Sequence, residues 1–343
     1  MLCAFVTLPA LAVEVATLYS AQVPLDQEVD DPTALAYRAA LEAVLLRVSG
    51  SELVADPAMV ELLFPDPSAY VVQFRTGEDD TLWVSFDGEA IEQALRQSGQ
   101  TVWDSDRPLT LVWLAVDWGQ GRREIIGADD PERSRDAARS IDRNARLRQR
   151  VLDMAERRGL PVIFPLLDVE DQRSVSFSDI WGGFDDALLE ASQRYEVNSI
   201  LVGRFRPGTS QRNQWRYYFS GQERTWFGEP ELAVSLVADE LAAEFAVSGS
   251  APLEPVRLSI AGIDTVADYG AVQTLLKGLT IVEGYKITEV VGDQVLYTVN
   301  VRGGAERLGR ALRFNGLIEK ERFEGDPFPV DALNSRLEFF FGP

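Results

Sequence analysis

A chain of 343 residues, 46% apolar and 25% charged, is long enough for two or three packed cores and too apolar for extensive disorder. Its net charge of −21, with only Lys277, Lys286 and Lys320 as lysines, argues against a nucleic-acid binder and against an anionic membrane surface, because both need clustered cations. It has no histidine and one cysteine, Cys3, so triad hydrolysis, imidazole acid/base chemistry and a Cys/His zinc site lack their residues.

Residues 2–12, LCAFVTLPALA, carry no charge, and Ala10-Leu11-Ala12 has the small-x-small form of a signal-peptidase site. A signal peptide is therefore expected over 1–12, cleaved near Ala12, with the mature protein in the periplasm. The run is too short to span a bilayer, so no transmembrane segment is expected in the mature chain. A basic n-region is missing, which suggests a truncated start; the alternative is a buried N-terminal strand. Cleavage removes Cys3 and leaves no thiol for a disulfide or a cysteine nucleophile.

The first block, 13–105, opens with a strand over Val13–Val23. Asp31-Pro32 starts a helix, an Asp cap followed by Pro at the first helical position. Tyr37, Leu41, Val44, Leu45 and Val48 give its inner face, and Gly50 ends it. Strands Tyr70–Phe74 and Leu82–Phe86 flank the polar turn 77–80, and a helix carrying Ile91 and Leu95 stops at Gly99. The order is β-α-β-β-α.

The second block, 108–248, begins with Leu109–Trp118, apolar enough for a central strand covered on both faces. The polar stretch 119–146 reads largely as a mobile loop. A helix through Leu147, Val151 and Met154 ends near Gly159, and Pro161–Leu167 is a second buried strand. Trp181, Phe184, Leu188, Ala191 and Tyr195 step 3, 4, 3, 4, the spacing of one amphipathic helix. Strands Ser199–Phe205 and Trp215–Phe219 follow, and Glu229-Pro230 opens a helix bearing Val234, Val237, Leu241 and Phe245. Alternating strands and helices predict a partly parallel sheet with helices on its faces.

After the linker 248–255, the third block, 256–325, repeats the order of the first. It has a strand Val256–Ile260, a helix through Tyr269, Val272 and Leu276, a hairpin across Gly292-Asp293, and a helix with Leu308 and Leu312. The tail, 326–343, ends in Leu337-Glu338-Phe339-Phe340-Phe341, read as an edge strand or a loosely docked terminus. The predicted fold class is α+β / α/β: a central mixed-sheet α/β domain flanked by two smaller β-α-β-β-α units.

Neither a Walker-type phosphate loop nor a G-x-G-x-x-G after a strand occurs, so carboxylate chemistry is what survives. The sharpest acidic cluster is Asp168, Glu170 and Asp171, just past a predicted buried strand, where open α/β sheets place ligands. With Asp179 nearby it reads either as a Ca²⁺ or partner site or as a solvated turn whose Asp caps the next helix. Asp104, Asp106 and Arg107 flank Trp103 and read as a carboxylate pair with an orienting Arg, or as inter-domain packing with a salt bridge. Eleven Arg against eight acidic residues lie between Arg122 and Arg158, either a dock for an anionic partner or a solvated helix face.

Several pieces resemble the family of domain of unknown function 2066, exported proteins of Gram-negative bacteria. They are Ala39-Ala40-Leu41-Glu42-Ala43-Val44-Leu45-Leu46-Arg47-Val48-Ser49-Gly50, Trp103 with Arg107-Pro108 before Trp113-Leu114, Pro165-Leu166-Leu167-Asp168-Val169-Glu170-Asp171, Trp181-Gly182, and Ala191-Ser192-Gln193-Arg194-Tyr195. The resemblance carries no activity and transfers no catalytic residue. The candidate partner or ligand site comprises Asp168, Glu170, Asp171, Trp181, Arg194, Tyr195 and Arg107. Ile200–Phe205 with Trp215-Arg216-Tyr217 is similar to the α/β domain of TolB-like and curli-assembly-like periplasmic proteins, where such domains bind envelope proteins.

The expectation is a non-catalytic envelope protein-interaction or assembly module with no cofactor, Ca²⁺ being the alternative. The competing reading is a cell-wall glycan-binding protein or hydrolase that uses Asp168, Glu170 and Asp171.

Overall fold

The computed structural model describes residues 12–77, 79–103, 105–128, 143–209, 212–279, 281–320 and 336–341. Residues 1–11 of the expected signal peptide, with Cys3, as well as Asp104, much of the predicted loop 119–146 and most of the tail lie outside the described residues.

Along the chain, β1 (Ala12–Glu14) and β2 (Ser20–Pro24) precede α1 (Pro32–Ser49). The single strand expected over Val13–Val23 is interrupted by a turn, where the Leu18 N–H donates to the Val15 carbonyl. The Asp31 carboxylate caps α1 through the Ala34 N–H, and Gly50 ends it at φ 68°, a left-handed conformation that costs Gly no Cβ clash. Next comes α2 (Pro57–Leu63), a short helix absent from the predicted order although Asp56-Pro57 repeats the Asp-Pro start of α1. A 3₁₀ turn (Pro67–Tyr70), β3 (Val71–Thr76), β4 (Thr81–Phe86), α3 (Gly88–Gln97) and β5 (Thr101–Val102) complete this part.

Then follow β6 (Asp106–Pro108), β7 (Thr110–Gly119), β8 (Arg122–Ile126), α4 (Arg143–Arg158), β9 (Val162–Ile163), α5 (Val169–Ser174), α6 (Phe177–Gly182) and α7 (Asp186–Ser192). After them come β10 (Ser199–Phe205), β11 (Gln214–Phe219), β12 (Gln222–Phe227), α8 (Pro230–Phe245) and β13 (Val247–Ser248). The last part holds β14 (Leu253–Ala261), α9 (Val266–Gly278), β15 (Val282–Val291), β16 (Gln294–Arg302), α10 (Gly304–Phe314), β17 (Ile318–Glu319) and β18 (Arg336–Phe340). The fold class is α+β.

The chain packs as two compact units. The larger comprises Val13–Phe86 and Ser105–Glu244; the smaller joins the segment beginning at Asp87 to that beginning at Phe245. The first predicted block therefore gives its strands β2 to β4 to the larger unit and α3 to the smaller.

In the larger unit, β2-β4-β3 form an antiparallel sheet in which Leu82, Val84 and Phe86 alternate inward. A second sheet runs β12-β11-β10-β7-β8, with β9 also on β7. Its centre is the parallel pair β7 and β10, in register from Thr110↔Ser199 to Val116↔Phe205. Leu111, Trp113, Ala115, Ile200 and Val202 bury one face against Val175, Ile180 and Leu188, and each large apolar side chain so buried contributes about 1.5–3 kcal/mol.

Three expectations change here. The stretch 119–146 contains β8, antiparallel to β7 from Leu114↔Ile126 outward. Because β8 occupies that part of β7's edge, β9 pairs only at Thr110↔Val162 and Leu111↔Ile163, and the strand expected over Pro161–Leu167 stops there. The single helix expected through 181–195 breaks at Gly183, φ 80°, into α6 and α7, which leaves Phe184 exposed.

Gly203 faces Trp215 across β10 and β11, and a Cβ there would lie 2.3 Å from the indole ring. Gly203→Ala is expected to destabilise the protein by about 1–3 kcal/mol, as overpacking does. Urea denaturation checks this, and an unchanged midpoint would refute it.

In the smaller unit the sheet order is β15-β16-β14-β18-β17. Val256, Leu258 and Ile260 of β14 and Tyr297, Val299 and Val301 of β16 pack with Val272 and Leu276 of α9 and Leu308 and Leu312 of α10. The hairpin turns at Gly292, φ 62°. The tail strand is not an edge: β18 lies between β14, to which it is parallel, and β17.

Candidate functional site

After β9 the chain leaves the sheet and turns at Leu167, φ 53°, a conformation costly for a branched side chain. Two bonds hold it: the Leu167 N–H donates to Asp171 Oδ2 at 2.8 Å, and Gln172 Nε2 donates to the Leu167 carbonyl at 2.6 Å. Asp168 then caps α5, its Oδ1 accepting the Glu170 and Asp171 N–H groups. The Arg194 guanidinium grips Asp168 with two bonds of 2.8 Å and reaches Asp171 Oδ1 at 3.0 Å. The Tyr195 hydroxyl donates to Asp171 Oδ2 at 2.6 Å and accepts the Leu166 N–H at 2.9 Å. Asp171 is buried, while Glu170 stays exposed, 3.6 Å from Arg194.

The Arg194 bonds, followed by the Asp171 N–H, hold the Asp168 carboxyl well below its ordinary range, and Arg194 is raised in return by Asp168. Burial, helped by the Asp171 carboxylate, pushes the Tyr195 phenol up to about 12. Asp168 is thus held as an anion, and a general acid needs the opposite shift. Among the described residues, no group of three or more His, Cys, Asp or Glu is placed to hold a metal ion.

The depressed Asp168 pKa sets a pH dependence. Its contribution is present above the unfolded value, about 3.9, and is lost as pH falls below it. Asp168→Asn is expected to shrink the stability difference between pH 6 and pH 3, read from urea midpoints. An equal difference in both proteins would refute the linkage.

Five of the seven residues singled out from sequence, Asp168, Glu170, Asp171, Arg194 and Tyr195, therefore form one knot. Trp181 belongs to another group: its ring stacks on Phe177 at 5.1 Å, Arg206 lies over it at 5.7 Å, and its carbonyl accepts from Arg204. Arg107 is fully buried at the C-terminal ends of two helices, donating to the carbonyls of Arg47, Arg158 and Gly159 at 2.7–3.2 Å. Arg47 in turn donates to the carbonyls of Thr17 and Ser20 at 2.8 Å, and Arg158 to Gly50 and to Asp239. Arg107 and Arg158 thus place positive charge on the carbonyl ends of α1 and α4, whereas Arg47 ties the last turn of α1 to the chain around β2.

Sequence reasoning missed the buried pair Asp185–Arg216. Arg216 holds both Asp185 oxygens at 2.5 and 2.7 Å, and the Tyr218 hydroxyl donates to the same carboxylate at 2.5 Å. Burial, with Asp185 adding to it, raises the Tyr218 phenol. The available signal was a lone Arg inside the apolar strand Trp215–Phe219, where an unpaired charge would be untenable.

Residues 12–104 match a family described as Domain of unknown function (DUF8605). That agrees with the coarser resemblance, a domain of unknown function, but the matched family is not domain of unknown function 2066 and the match does not bear on the TolB-like likeness; its description names no activity. No curated protein and no solved structure matches the chain. Among the described residues, no helix is long and apolar enough to cross a membrane.

Proposed function

We propose that this chain is a non-catalytic protein-interaction module of the Gram-negative envelope, acting in the periplasm after cleavage near Ala12. The observation that carries the reading is the internal pairing of Asp168 and Asp171 with Arg194 and Tyr195. A glycosidase-like pair needs one protonated acid and a gap for sugar or water between the carboxyls. Here a guanidinium bonded to both carboxylates fills that place, and Asp168 is held ionised. The export element rests on the uncharged residues 2–12 and the Ala10-Leu11-Ala12 site. The likeness of several blocks to the family of domain of unknown function 2066, and of the middle block to TolB-like and curli-assembly-like domains, supports an envelope partner.

The test is expression with the native leader in a Gram-negative host, with mass analysis of the mature N-terminus and site-specific photo-crosslinking. The expected result is a periplasmic chain beginning near Val13 that crosslinks to an envelope protein. Purified protein releasing sugars from peptidoglycan, with release lost in Asp168→Asn, would reverse the reading in favour of a hydrolase.

A further inference from the structure

The register of the central sheet gathers arginines that are far apart in sequence. Asp117, near the end of β7, pairs with Arg123 of β8 and follows Val116, the partner of Phe205. Arg204 and Arg206 emerge at the same end of β10, and Arg212 lies two residues before β11. Arg122 joins them from the start of β8, and the guanidinium of Arg143, the first residue of α4, lies 5.9 Å from the Trp118 ring.

Aromatic rings hold several of these groups in place. Arg123 lies over Phe177 at 5.8 Å and Arg206 over Trp181 at 5.7 Å, on the stacked Phe177–Trp181 pair of α6. Asp117 accepts from Arg206 at 2.6 Å and lies 3.9 Å from Arg123, so one carboxylate serves two cations. Arg122 and Arg212 are exposed and have no ion-pair partner among the described residues. Phe184, 68% exposed, follows the Gly183 cap of α6.

We propose that this end of the sheet in the larger unit is an interaction surface for an acidic protein segment rich in Asp and Glu. The inference rests on the protein-interaction reading above and names the partner's chemistry. Charge complementarity decides the occupant. An anionic membrane presents charge over a whole face and meets the field of a protein of net charge −21. A short acidic segment interacts mainly within a Debye length, about 8 Å at physiological salt, where arginines predominate. Arg122 and Arg212, exposed and without an ion-pair partner among the described residues, can each take a carboxylate bidentately beside the arginines that Asp117 and the rings hold in place.

The probe is a fluorescein-labelled dodecapeptide of alternating Glu and Gly, titrated with the purified full chain and followed by anisotropy. Salt-sensitive binding is expected, weakened at least about tenfold by Arg122→Glu/Arg212→Glu, which leaves the ring stacks in place. Arg257→Glu/Lys286→Glu, two exposed positions of the smaller unit with the same charge change, is expected to have little effect. Absence of peptide binding, or equal weakening by both double variants, would overturn the surface. Retention on phosphatidylglycerol vesicles without peptide binding would assign it to a membrane instead. An envelope crosslink that persists in Arg122→Glu/Arg212→Glu overturns this surface alone, whereas loss of any crosslink from the unaltered chain overturns the module itself.

Discussion

Asp185→Ala is expected to destabilise the larger unit by about 3–5 kcal/mol, a large part of the roughly 5–15 kcal/mol that holds a folded protein. Asp185 and Arg216 are 9% and 8% exposed, and the guanidinium holds both carboxylate oxygens. Removing the carboxylate strands a buried cation that keeps a 3.3 Å contact to the Ile180 carbonyl, and the Tyr218 hydroxyl loses its acceptor as well. Most of the penalty is the uncompensated charge, so removing both partners should cost far less than removing one, although the Tyr218 hydroxyl lacks its acceptor in either variant. Asp185→Leu/Arg216→Met is therefore expected to recover most of the loss. Tryptophan fluorescence during urea denaturation reads this unit well, since six of the seven tryptophans lie in it and only Trp103 falls in the other. A single variant within about 1 kcal/mol of wild type would show that the pair is solvated in solution.

Arg107→Met carries the second large effect, about 3 kcal/mol or more. The side chain is fully buried and bonds the carbonyl ends of α1 and α4, and each buried acceptor left unpaired costs about 1–3 kcal/mol. Lysine is a poor replacement because an ammonium lacks the planar fork that reaches several carbonyls at once. Arg107→Lys is accordingly expected to recover less than half of the loss. The approach at Gly159 is equally tight: a Cβ there would lie 2.5 Å from the Arg107 guanidinium. Hydrogen exchange at the ends of α1 and α4 separates this role from a general loss of packing. Faster exchange is expected there first, and exchange that rises uniformly across the unit would refute the capping role.

Both effects concern residues of opposite legibility. Arg107 was visible beside Trp103 and Pro108 but was expected to meet a carboxylate or to orient a site, not to cap two helices. Arg216 stands out in the sequence only by its place in a strand. At the acidic cluster, Asp168 as a helix cap was readable from the residues following it, because capping is a contact over two or three positions. Its hold by Arg194, 26 residues away, was not, because every Arg in an acidic chain has many candidate partners.

What the sequence determined by itself was local: Asp31-Pro32 opening α1 and Gly50 closing it, the inward alternation of Leu82, Val84 and Phe86, and the hairpin at Gly292. Those signals act over a few bonds, where backbone sterics and nearby hydrogen bonds decide. Tertiary structure alone decided the length of β9, set by competition with β8 for one edge, and the interior place of β18. It alone chose the partners of Arg107, Arg194 and Arg216 as well. Such choices depend on which distant groups packing brings within about 3 Å, and burial then makes each pairing obligatory because an unpaired polar group away from water is costly.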